Sequence, residues 1–250
     1  MTTIKADPTA QWRLLDLQAV DTRLTQLLHR RNSLPEHDQI ARLRKERDVL
    51  SQELIAATTA VADLDLEQAK AEADLEPVRE RLARNRKRIA DGTVADPKAL
   101  SGLVEEVEHL KRRISDLEDI ELDVMQRLED ASVTQAALEQ RTGTLTQELA
   151  GVTGTRDRLV AEIDAEARAT TTERARVADA IPADLLALYD KIRAGHGGVG
   201  AAELTQRRCT GCQLQLNPTD LQRYAAAPAD EVLRCEDCSR ILVRTGDSGI

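Results

Sequence analysis

Four cysteines, the only ones in the 250-residue chain, fall as two pairs near its C-terminus: Cys209-Thr210-Gly211-Cys212 and Cys235-Glu236-Asp237-Cys238. Two residues between cysteines let a tight turn aim both sulfurs at one ion. The 22 residues from Gln213 to Arg234 suffice to bring the second turn round and complete a tetrahedron. That is the ligand set of a structural zinc site, with one Zn2+ on Cys209, Cys212, Cys235 and Cys238; iron held by four cysteines shares the spacing. The rival chemistries explain less. A disulfide framework needs an oxidising compartment, and Met1 to Trp12 contains no apolar run of a secretory signal. A catalytic dithiol needs one Cys-x-x-Cys and leaves the second pair without a role. Four thiolates make a Zn(Cys)4 centre formally anionic, and Arg207, Arg208, Arg234 and Arg240 stand beside the ligands to offset that charge.

The elements that carry the cysteines follow from composition. Phe is absent, and the aromatics are Trp12, Tyr189 and Tyr224 alone, too few for a compact core of this length. Charged residues make up 32% of the chain, a proportion that suits long exposed helices better than a layered sheet protein. From Ile40 to Ile89, steps of alternating three and four residues land on an apolar side chain at 12 of 15 positions; from Leu100 to Ile163 they do so at 15 of 19. A narrow stripe of period 3.5 sustained over six heptads is a coiled-coil seam.

Between the two runs, Asp91-Gly92-Thr93-Val94-Ala95-Asp96-Pro97 supplies a glycine stop, an aspartate N-cap and a proline at the first helical position. So short a turn makes the two helices antiparallel neighbours, with residue i facing roughly residue 189 minus i. Leu64 then lies near Val124 or Met125, Ile40 near Leu149, and Gln68 opposite Glu121. Pro35 ends one helix and starts another, Pro77 kinks the first arm, and Asp7-Pro8 opens an upstream helix whose Leu14, Leu17, Leu24 and Leu28 share the stripe. The return arm, 97 to about 178, would run on the order of 120 Å.

The expected fold is therefore mainly α: a long antiparallel coiled-coil helical hairpin over 1–180 with its turn near 92–97, and a small C-terminal β zinc ribbon over 201–250. Between them, 181–200 reads as a short amphipathic helix, hinge or lid, and a glycine-rich linker. That glycine run lacks the lysine and the strand-loop-helix order of a phosphate loop. Ribbon strands are expected over 198–204 and 231–243, and Asn217-Pro218-Thr219-Asp220 opens a short helix through Tyr224.

Several segments resemble a known family, the bacterial C4-type zinc-ribbon proteins with an N-terminal coiled-coil hairpin, in its actinobacterial form. The resemblance rests on Leu14-Leu15-Asp16-Leu17-Gln18 with Asp21, on Leu34-Pro35, on Asp96-Pro97-Lys98-Ala99-Leu100, on Leu185 to Arg193, and on both cysteine pairs with Ser239-Arg240-Ile241-Leu242. Ser239 departs from the family, which commonly has glycine there; serine would be strained if that position has positive φ. The resemblance implies that the four cysteines ligate zinc, that no catalytic residue carries over, and that the chain is an adaptor or binding protein without a stated client.

Three function classes follow. The first is a non-enzymatic adaptor that binds a protein partner through rod and ribbon, favoured by the long seam and the net charge of −9. The alternative is a protein that binds RNA or DNA through the ribbon or the hairpin tip. Against it, Leu204 to Ile250 carries six arginines and six acids; for it, Arg79, Arg81, Arg84, Arg86, Lys87, Arg88, Lys111, Arg112 and Arg113 gather near the turn. Those bases equally suit a solvated face paired with Glu76, Glu80, Glu105, Glu106 and Glu108. An enzyme is least supported, because His29, His37, His109 and His196 are scattered away from any nucleophile or cysteine. No run approaches about 20 apolar residues, so the sequence predicts a cytoplasmic protein with no membrane role and no small-molecule substrate.

Overall fold

A computed structural model describes residues 4–250. Five helices and four short strands follow one another: α1 (Pro8–Asn32), α2 (Pro35–Ala90), α3 (Pro97–Asp179), α4 (Ala183–Gly195), β1 (Ala201–Thr205), β2 (Arg208–Cys209), α5 (Pro218–Ala226), β3 (Leu233–Arg234) and β4 (Ile241–Arg244). They divide into two compact units, residues up to His37 with Gly154–Ile250, and Asp38–Thr153.

Asp38–Thr153 is an antiparallel helical hairpin. Leu43 and Leu50 of α2 pack with Leu138, Leu145, Leu149 and Val152 of α3, while Val78, Leu82 and Ile89 meet Val107, Leu110 and Ile114. Early residues of one arm thus meet late residues of the other. The ion pairs Arg79–Glu118, Arg81–Glu106, Glu67–Arg127 and Glu46–Arg141 join residues whose numbers add to 197, 187, 194 and 187. These values bracket the expected 189, and Leu64 and Val124 are both buried. The Gln68 amide, however, donates to Glu72 one turn on at 3.1 Å rather than to Glu121. Asn85 sits in the seam 6% exposed with no partner for its Nδ2, a polar seam position that fixes register at a cost in stability.

The caps act as the sequence requires. Asp96 accepts from the amides of Lys98 and Ala99, Gly92 takes φ 63° at the end of α2, and α2 continues through Pro77. A proline there offers no N–H to the Ala73 carbonyl, yet leaves the helix assigned throughout.

In the other unit the ribbon strands form one sheet in the order β2-β1-β4-β3, with β1 and β4 parallel and the outer pairs antiparallel. Successive residues of the two central strands point to opposite faces. Ala201, Ile241 and Val243 bury into a core with Leu14, Leu17, Ala178, Ile181, Leu185, Tyr189 and Ile192. Ala202, Leu204 and Leu242 bury on the other side with Tyr224, Leu216, Leu233 and the cysteines. Burial on both faces explains why Ile241-Leu242-Val243 is uninterrupted apolar sequence.

Helix α4, expected as a hinge or lid, is instead a wedge: Leu185, Tyr189 and Ile192 are fixed in that core. The glycine run closes it, with the Gly198 amide on the Arg193 carbonyl and Gly197 and Gly198 at positive φ. Gly200 lies so close to Tyr189 that a Cβ there would stand 2.7 Å from its ring. A single bridge lies at each sheet edge. Lys5 bridges Glu231 beside β3 and Gln215 bridges Arg208 of β2, and strands as short as these leave little edge to template another chain.

Candidate metal centre

Each cysteine pair is held in a knuckle, and the two knuckles repeat one hydrogen-bond pattern. In the first, Gln213 N donates to Cys209 O at 2.7 Å and Cys209 N to Leu214 O at 3.1 Å; in the second, Ser239 N donates to Cys235 O at 2.8 Å and Cys235 N to Arg240 O at 3.0 Å. The residue after each second cysteine turns left-handed to make this closure, Gln213 at φ 61° and Ser239 at φ 58°. The strain anticipated at Ser239 is therefore real. A left-handed residue with a side chain costs roughly 1–2 kcal/mol, offset in a glycine by greater freedom when unfolded. Ser239→Gly is expected to leave the protein unchanged or stabilised by up to about 1 kcal/mol, and Ser239→Val to destabilise it by about 1–2 kcal/mol. Thermal unfolding of the zinc-loaded protein measures both.

The four sulfurs converge. All lie within 4.8 Å of one another, with Cys209 Sγ 3.8 Å from Cys238 Sγ and Cys212 Sγ 3.9 Å from Cys235 Sγ. A tetrahedral ion with Zn–S bonds of about 2.3 Å places its sulfurs ~3.8 Å apart, which both of these separations match, so the quartet fits zinc. Cys209 and Cys235 are buried while Cys212 and Cys238 are half-buried. Burial pushes the Cys209 thiol up to about 11 and raises that of Cys235 as well. At Cys238 burial also works upward, but hydrogen bonds from the Arg240 backbone and side chain and from Cys235 and Cys212 hold the thiol below its ordinary value. Metal binding must displace the remaining thiol protons, so affinity falls as pH falls. With four protein ligands the site is closed, and no position is left for substrate or water.

Of the arginines expected to balance the centre, Arg240 does most. It reaches Cys238 and ties the knuckles to the glycine segment through Val199 O, Gly211 O and His196 O. Arg234 bonds the Ser239 carbonyl, and Arg207 that of Gly249. Gly211 is required, since a Cβ there would stand 2.8 Å from Arg240 and 2.9 Å from Ala202.

The basic residues near the turn are all exposed. Four are paired, Arg79 with Glu118, Arg81 with Glu106, Arg84 with Glu80 and Lys111 with Glu108. Arg86, Lys87, Arg88, Arg112 and Arg113 make no ion pair among the described residues; Arg86 and Arg112 contribute to the field that lowers the Glu108 carboxyl, after the larger effect of Lys111.

One cluster escaped the sequence reading. Asp21, 0% exposed, meets Arg174 Nε at 2.7 Å, Arg193 Nε at 3.1 Å and the Tyr189 hydroxyl at 2.8 Å. Beside it, Gln18 accepts from Gly200 N at 2.7 Å and donates to Gly198 O at 3.0 Å. The available signal was spacing, because Asp21 occupies a stripe position between Leu17 and Leu24 where an apolar residue belongs.

Comparison with known proteins agrees with this architecture. The chain is 32% identical over 241 residues to the uncharacterized protein Rv2229c of Mycobacterium tuberculosis, covering 96% of this chain and 98% of that one. A solved structure from Mycobacterium smegmatis shares 33% identity with a TM-score of 0.84, over 97% of this chain and 100% of the other. CT398 from Chlamydia trachomatis shares the fold at 16% identity and a TM-score of 0.67, over 95% and 98% of the two chains. Residues 208–242 match the C4-type zinc ribbon domain. Since residues 17–197 also match the CT398-like coiled coil hairpin domain, the chain belongs to the CT398-like family, with a C4 zinc ribbon that binds one structural zinc ion.

Proposed function

We propose that this protein is a non-enzymatic cytoplasmic adaptor that binds a protein partner, with its zinc ribbon as a structural module and its helical hairpin as the docking surface. One observation carries the reading. Of 13 large hydrophobic side chains exposed among the described residues, nine lie in the hairpin Asp38–Thr153: Val49, Ile55, Leu66, Leu100, Val104, Ile120, Leu122, Met125 and Val133. Exposed apolar surface rimmed by charge marks interaction sites, whereas the closed metal centre offers no reactive position. Affinity capture from native cytosol with the zinc-loaded chain, followed by quantitative mass spectrometry, is expected to recover a protein in near-stoichiometric amount that survives nuclease treatment. Recovery of nothing above background, or of a complex that nuclease dissolves, overturns the reading.

Nucleic acid is the second reading, supported by the five unpaired bases near the turn. Opposing it, Trp12, Tyr189 and Tyr224 all lie outside residues 38–153, so the hairpin offers a base no Phe, Tyr or Trp to stack on and only the imidazole of His109. Titration of RNA and duplex DNA at low salt is expected to show no binding. Binding that disappears in Arg86→Glu/Lys87→Glu/Arg88→Glu establishes the second reading instead.

A further inference from the structure

We propose that the outer face of α2 between Ile55 and Ala73 is the docking surface for a basic amphipathic helix of a partner protein, an inference that rests on the adaptor reading above. Ile55, Thr59, Ala62, Leu66, Ala69 and Ala73 recur at alternating spacings of four and three residues along an unbroken helix, which aligns them on one side. This is a second stripe, offset from the seam made by Val61, Leu64 and Ala71. All six residues are exposed, Ile55 at 67% and Leu66 at 71%. Ala62, Ala69 and Ala73 beside the larger Ile55 and Leu66 leave grooves that let another helix approach to roughly 8 Å between axes.

The charge around the stripe specifies what can lie in it. Residues 55–74 hold five acids, Asp63, Asp65, Glu67, Glu72 and Asp74, against Lys70, for a net −4. The facing segment of α3, residues 115–134, holds seven acids against Arg127, for a net −6. Together they carry −10, more than the −9 of the whole chain, so the acidity of this protein is concentrated here. Part of it is neutralised, since Arg127 serves Glu67 and Asp123, Arg79 pairs with Glu118 at 2.7 Å and Glu72 accepts from Gln68, while Asp63, Asp65 and Asp74 make no ion pair among the described residues. Nucleic acid and anionic membrane are repelled by such a field, and a second copy laid face to face would meet its own −10. A helix with apolar residues at the same spacing and Lys or Arg on both flanks satisfies the stripe and the carboxylates together. Ile55 to Ala73 spans about 27 Å, which fits about five turns of such a helix.

The test uses the zinc-loaded full chain and two fluorescent peptides of one composition. One places leucines at heptad spacing with flanking lysines; the other scrambles them. Anisotropy is expected to show the amphipathic peptide binding at least tenfold tighter than its isomer. That preference should vanish in Ile55→Asp/Leu66→Asp and persist in Leu28→Asp, outside the hairpin, with far-UV circular dichroism of both variants unchanged, since all three positions are exposed. Equal binding of the peptides, or a preference that survives Ile55→Asp/Leu66→Asp, overturns the proposal. So does a wild-type dimer in sedimentation velocity that the double substitution dissociates, because the face then belongs to a second copy. If Ile55→Asp/Leu66→Asp still captures the partner recovered from cytosol, the adaptor reading stands and this surface falls; a capture without any protein sinks the adaptor reading whatever the peptides do.

Discussion

Removal of zinc is expected to unfold both knuckles and helix α5 while the hairpin Asp38–Thr153 stays helical. A structural four-thiolate site contributes an apparent ~10–16 kcal/mol to folding, comparable with the whole stability of an ordinary domain, about 5–15 kcal/mol. On the zinc-facing side of the sheet the apolar cluster is small, and Cys209 and Cys235 are two of its buried members. Without the ion, four sulfurs within 4.8 Å of one another must stay protonated or repel. Hydrogen exchange after chelation should show the amides of Cys209, Gln213, Cys235 and Ser239 losing protection, since each closes a knuckle. Cys235→Ser should reproduce the loss even in excess zinc. The sole tryptophan gives a second readout, because Trp12 Nε1 donates to Arg244 O at 2.7 Å. Arg244 in turn holds the carbonyls of Tyr224, Ala227, Pro228, Ala229 and Glu231. Loosening of α5 and the segment after it should therefore change Trp12 emission. Knuckle amides that stay protected in metal-free protein would show that the sheet, not the ion, holds the ribbon.

What the sequence made legible was local or periodic. The seam, the stop at Gly92, the cap at Asp96, the break at Pro35 and the ligand quartet each depend on residues a few positions apart, where spacing alone decides geometry. The parallel pairing of β1 with β4 was not legible. It joins Ala201 to Ile241 across both knuckles, and nothing in either four- or five-residue strand names its partner. The packing of α4 was missed for a related reason. A short amphipathic helix beside a glycine run reads as a hinge, whereas Tyr189 finds its core only when α1, α3 and β4 are assembled. The second stripe on α2 was hidden by alanine, which suits an exposed helix surface as readily as an interface. Exposure of Ile55 and Leu66 was needed to separate the two.

Asp21→Asn is expected to cost about 3–5 kcal/mol. The substitution keeps volume and removes charge, leaving Arg174 and Arg193 to face each other across a site where Asp21 is 0% exposed. Asp190, 2.8 Å from Arg174, can compensate one guanidinium but not both. The cluster joins α1, α3 and α4 at one point, so the loss should appear as a lower urea midpoint for the unit containing the ribbon. Alkaline pH supplies an independent check. Burial, and then the hydrogen bond to Asp21, hold the Tyr189 hydroxyl above its ordinary value. A group whose folded pKa exceeds its unfolded one gives its full stability below the unfolded value, about 10 for tyrosine, and loses it as pH rises beyond. Wild-type protein should therefore weaken above about pH 10, and in Asp21→Asn that loss should level off at a lower pH because one of the two causes is gone. A loss that levels off at the same pH in both proteins would mean that burial alone governs Tyr189. Wild-type stability of Asp21→Asn at neutral pH would mean that the core around Leu14, Leu17 and Val243 holds the three helices together without the buried charges.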